Sequence, residues 1–136
     1  VDIVIYNGDI VAENLLPDMK IKKLTRHGSK WNRFWALTDD GVYHLVANKH
    51  WNGLQARKVL DGKYVDVAAM PLGMWEIIVV NPDGTVDMVV DKGGPDKAKV
   101  TPMPWLENVK AIGDFGGWKG IGTRWGHRFY AVIDSD

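Results

Sequence analysis

The chain has 136 residues, enough for one domain with a real core, and 46% of them are hydrophobic, which excludes a disordered tail. Seventeen basic and seventeen acidic residues leave no net charge, so no global field recruits nucleic acid or an anionic membrane, and neutral partners are expected. No apolar run reaches the roughly 20 residues that span a bilayer, none has the make-up of a secretory leader, and the absence of cysteine removes disulfides, thiol nucleophiles and Cys-based zinc sites while leaving both reducing and oxidising compartments open.

In chain order, the elements are short β-strands that recur. "VDIVIYNGD" (Val1 to Asp9) opens the chain, "LPDMKIKKL" follows from Leu16, "RFWAL" from Arg33 and "GVYHLVANK" from Gly41. The series then starts again with "LDGKYVDVA" from Leu60, "MWEII" from Met74 and "GTVDMVVDK" from Gly84, and a third time with "LENVKAIGD" from Leu106 and "RFYAV" from Arg128. Leu16, Leu60 and Leu106 mark steps of 44 and 46 residues. "VDIVIYNGD" aligns with "GVYHLVANK" and "GTVDMVVDK", and joining the last residues to the first gives D-S-D-V-D, a match to "DGTVD". The reading is therefore a single domain, 1–136, of three circularly permuted repeats, about 16–59, 60–105 and 106–136 plus 1–15.

Alternating or β-branched runs bounded by turn residues predict four strands per repeat. In the second they cover about Lys63 to Ala68, Met74 to Val80, Thr85 to Asp91 and Lys97 to Thr101. "DDG" and "PDG" between apolar runs predict tight hairpins in which Gly takes the positive φ. A long Gly-rich insertion, "FGGWKGIGTRWGHR" (Phe115 to Arg128), sets the third repeat apart.

Two all-β architectures fit three four-stranded repeats of this length: a single-chain β-trefoil, or β-propeller blades. Three blades do not close a ring, because propellers have about 4 to 8, so blades require two chains and a six-bladed ring. Each end of the chain would then supply half of a blade, covering a sheet edge that would otherwise invite aggregation.

The pieces "IKKL", "FWALTDDGVY" and "HWNG" in the first unit, and "VKAI" and "FYAVIDSD" in the third, resemble the repeats of the tectonin and tachylectin propeller lectins. The second unit departs from that pattern, with "WEIIVVNPDGTV" and no tyrosine. The resemblance implies a six-bladed propeller made by a homodimer, a lectin that binds glycans or glycoconjugates multivalently, and no catalysis. It implies no cofactor, no metal, no nucleic acid and no membrane insertion. A non-catalytic protein-interaction or assembly scaffold is the competing class, since fold alone does not fix function.

The residues leave little for an enzyme. His27, His44, His50 and His127 lack metal-ligand spacing and are expected to be solvated. Ser29 and Ser135, the only serines, sit in no nucleophile motif. Glu13, Glu76 and Glu107 fall at non-equivalent repeat positions, so no carboxylate pair emerges. Asp83 and Asp87 read as turn residues rather than a calcium loop.

Tryptophan is plentiful, seven residues in all. An indole covers the C–H face of a sugar while arginine, aspartate or asparagine meets its hydroxyls. Trp35 and Trp75 lie in predicted strands and are expected to pack between sheets. Trp31, Trp51, Trp118 and Trp125 sit in turn-like polar surroundings, where ligand stacking and packing are both open. With Asn52 and the repeat-equivalent Arg33 and Arg128, they form the candidate ligand-binding set. Arg33 and Arg128 are open to a second reading, a salt bridge between repeats. The basic run Lys20 to Lys30 reads as a solvated strand face.

Overall fold

The computed structural model describes residues 5–7, 9–12, 16–27, 32–50, 52–70, 75–114 and 129–133. Among them there is no helix. Twelve strands follow in order: β1 (Ile5–Asn7), β2 (Asp9–Ala12), β3 (Ile21–Arg26), β4 (Arg33–Thr38), β5 (Gly41–Ala47), β6 (Leu54–Asp61), β7 (Asp66–Ala69), β8 (Glu76–Val80), β9 (Val86–Val90), β10 (Lys99–Pro102), β11 (Val109–Asp114) and β12 (Phe129–Ile133). The protein is all-β. β3 to β6 form one four-stranded antiparallel meander and β7 to β10 another, while β1–β2 and β11–β12 are two-stranded hairpins. Among the described residues β12 and β1 are not hydrogen-bonded neighbours.

The hairpin turns follow the chemistry expected of them. Gly41 has φ 149°, and a Cβ there would lie 2.0 Å from the carbonyl oxygen of Leu60, so no other residue fits. Gly84 takes φ 86° in a turn where Asp83 accepts hydrogen bonds from the amide and hydroxyl of Thr85, an Asx turn rather than an ion loop.

The strands of the second unit sit close to their predicted places, with shifted ends. β7 starts at Asp66 instead of Lys63, after a turn in which the Tyr64 hydroxyl donates to the Asp61 carbonyl. β10 starts at Lys99 because the amides of Lys97 and Ala98 both donate to Gly94 O, which holds that stretch in a turn.

Strand pairing sets the register within each sheet. Lys23 pairs with Leu37, Asp66 with Val80 and Ala111 with Val132, while Leu24 pairs with Ala36, Val67 with Val79 and Ile112 with Ala131. Taking these pairs as counterparts puts Arg33 with Glu76 and Trp35 with Ile78, whereas the likeness of "RFWAL" to "MWEII" puts Arg33 with Met74. Both keep the same faces together, because apolar runs slide by two residues without changing face.

Strand alternation sends each sheet's residues to two faces. Val67, Ala69, Ile77, Val79 and Val89 of the second sheet pack against Trp35, Leu37, Val42 and Val59 of the first. Ala68, Ile78, Val80 and Val86, on its other face, pack against Val109 and Ile112 of β11. Strands β7 and β8 of the second sheet are therefore buried on both sides, the reason they read as near-continuous apolar runs. Each such Val or Ile contributes roughly 1.5–3 kcal/mol. The result is three layers, with the second sheet in the middle.

One buried carboxylate crosses all three. Asp66 accepts from Lys23 Nζ of the first sheet at 2.6 Å, from its neighbour Val67 N at 2.8 Å and from Ile112 N of β11 at 2.9 Å. Lys23 Nζ also donates to Ile112 O at 3.2 Å. Asp66→Ala is expected to cost about 3 kcal/mol, since it strands a lysine and a buried amide. Lys22→Ala, which removes an exposed ion pair with Asp39, should cost under about 0.5 kcal/mol. Urea titrations of the two variants check both values.

Candidate functional site

In an antiparallel meander alternate strand ends meet on one side. The residue after β3, the start of β4, the end of β5, the residue before β8 and the residue after β9 thus gather at one end of the boundary between the first two sheets. They bring Arg33, His27, His44, Trp35 and Trp75 together.

The Arg33 guanidinium lies over the Trp75 ring, 5.1 Å from its centroid, a cation–π contact made across the sheet boundary. Its Nη1 is 3.4 Å from His44 Nε2. Arginine only donates, so this ring nitrogen accepts and the imidazole proton sits on Nδ1. His44 also packs against Trp35 and Trp75, at 5.0 and 5.3 Å between centroids. His27, whose amide donates to Arg33 O, stacks on Trp35 at 5.6 Å and meets the edge of Trp75 at 5.4 Å. Trp35 is buried and its Nε1 has no hydrogen-bond partner among the described residues.

Arg57, on the outer strand β6, reaches across the same boundary. Its two terminal nitrogens donate to the two carboxylate oxygens of Asp91, one at 2.8 Å, a fork that ties the first sheet to the second. Burial alone would raise the Asp91 pKa, but the hydrogen bonds from Arg57 and from the Gly93 amide outweigh it and the pKa falls. Burial, then the charges of Arg57 and Arg33, push His44 down to about 4, so it is neutral at physiological pH. Among the described residues Arg33 makes no ion pair with an acidic side chain.

Of the candidate set, the structure places Arg33 and Asn52 at the same end of the first sheet. Asn52 is exposed and holds the β5–β6 turn together, accepting from Asn48 Nδ2 at 2.8 Å. Trp31, Trp51, Trp118, Trp125 and Arg128 lie outside the described residues. Arg33 makes no ion pair among the described residues, where the ion pairs between the first two sheets are Lys23–Asp66 and Arg57–Asp91.

Two expectations are overturned. His27 and His44 are buried rather than solvated, because β5 alternation puts His44 on the same face as Val42, opposite Trp35 in register. That alternation was readable in "GVYHLVA". Trp75 packs against the core as expected, yet it precedes β8 and its half-buried ring faces Arg33. Arg57 and Asp91 carried no signal, since neither stands in a motif.

The arrangement offers fixed donors beside indole rings. Among the described residues no three His, Cys, Asp or Glu side chains are grouped to hold a metal ion. Recognition of a hydroxyl-rich or anionic group suits this chemistry.

The pH response follows from His44. Its folded pKa of about 4 lies below the usual 6.5, so the unfolded chain takes up the proton first. The stability contributed by burying neutral imidazole is whole above pH 6.5 and is lost as the pH falls towards 4. Melting temperature measured across that range should decline in the wild type and flatten in His44→Gln, while His50→Gln, at an exposed position, should keep the wild-type slope.

No family model, no curated protein and no solved structure matches the chain.

Proposed function

We propose that the chain is a carbohydrate-binding module of the tectonin-like propeller type, which holds glycans at the strand ends between neighbouring sheets and performs no catalysis. The observation that carries this reading is Arg33 held over Trp75 between the first two sheets. Stacking and the neutral His44 fix the guanidinium, so its remaining N–H groups are preorganised for sugar hydroxyls or a sugar carboxylate. The four-stranded meanders layered face to face support blades over a trefoil; in this reading the two terminal hairpins, which are separate two-stranded sheets among the described residues, each contribute half of a blade. Two such chains complete a six-bladed ring, whose weak sites sum by avidity.

A second reading, an interaction scaffold, draws on Trp105. This residue is 71% exposed, and the segment Pro102 to Pro104 that leads into it lines a surface depression of about 650 Å³ together with Asn81 and Asp83. An exposed indole beside a groove is the make-up of a protein-binding hot spot.

A glycan array followed by titration separates the two. The lectin reading expects sugar binding that weakens by roughly 1–3 kcal/mol in Trp31→Ala and Trp125→Ala, and that falls in Arg33→Lys, which keeps the charge but loses the planar fork. An array silent toward neutral and acidic glycans, with a protein partner captured through Trp105, would put the scaffold ahead.

A further inference from the structure

Repeat-equivalent positions are buried between layers and exposed at the two ends of the stack. Leu37 and Val80 face the next layer and are 2% and 0% exposed, yet their equivalent Val132 is 51% exposed. On the opposite faces, Val67 and Ile112 are 0% and 2% exposed, whereas their equivalent Leu24 is 45% exposed. Around Leu24, the half-buried Phe34, Tyr43 and Leu54 pack over Ala36 and Leu45, the counterparts of a surface that in the second sheet is wholly covered.

We infer that the Leu24 face of the first sheet and the Val132 face of the β11–β12 hairpin are the two halves of one repeated interface, and that a second copy of the chain joins them head to tail. This rests on the propeller reading proposed above and gives its junctions.

The complementarity that such a junction needs is already realised within the chain. The face that carries Leu37 is buried against the face that carries Val67, and the face that carries Val80 against the face that carries Ile112. The two faces left over are of these same two kinds. A two-fold axis brings each copy's Leu24 face onto the other's Val132 face, so both junctions form at once and the assembly closes instead of growing into a fibre. The junction between copies differs in one respect. Ala111 stands where Asp66 stands in the second sheet, so the cross-layer carboxylate is missing and the contact at that level is apolar, which makes it sensitive to a buried charge.

Sedimentation equilibrium with circular dichroism tests this. The wild type should run near twice the 15.2 kDa of one chain. Leu24→Asp and Val132→Asp should each fall back towards a single chain while keeping the β spectrum, because both side chains are exposed within one copy. Val100→Asp, at an exposed site on β10, should remain paired. A wild type that stays near one chain mass overturns the ring and the interface together, leaving these faces to some other cover. A wild-type dimer that persists in both Asp variants overturns the interface assignment alone.

Discussion

The carboxylate of Asp66 is hydrogen-bonded from the sheet before it, from its own strand and from the strand after it. Most of the inter-layer contact is apolar and therefore indifferent to small sliding, since hydrophobic burial has no direction. A buried charge has direction. Once Asp66 is desolvated, only the placement that brings Lys23 Nζ and the Ile112 amide to it avoids a penalty of several kcal/mol. The three layers are thereby fixed in height and register relative to one another.

That constraint acts at a distance on the candidate site. β7 carries Asp66 near one end, and its other end approaches Thr25 through the Ala69 amide, 3.4 Å from Oγ1. Beyond it lie Arg33 on Trp75 and Arg57 on Asp91, so the boundary between the first two sheets is pinned by polar or cation–π contacts along its length, with valines and isoleucines between. The side chains that offer donors toward solvent are held by this row, and the neutral state of His44 depends on the same closure. Loss of the closure by protonation or by a core substitution would disturb the Arg33 and Trp75 side chains and stability together.

How much of this was readable in advance varies with the physics involved. Hairpins at "DDG" and "PDG", the antiparallel meanders and the strands of the second unit followed from alternation and glycine turns, which are local. The alignment of "RFWAL" with "MWEII" is not fixed by sequence, because a run such as Trp75 to Val80 looks alike in either register. His27 and His44 were read as solvated because isolated histidines carry no sign of their neighbours. Their burial depends on indoles from two sheets, which strand spacing within one repeat does not reveal. The resemblance to tectonin-like repeats rests on short motifs.

The account holds at its centre that the three-layer stack is half of a closed ring. Small-angle X-ray scattering of the wild-type chain measures this most directly, because closure changes overall dimensions while leaving each layer untouched. Two closed chains should give a radius of gyration of ~18 Å by the usual scaling of compact proteins. A value of ~14 Å, that of one compact chain of this length, at concentrations where the protein is otherwise well behaved, would contradict it.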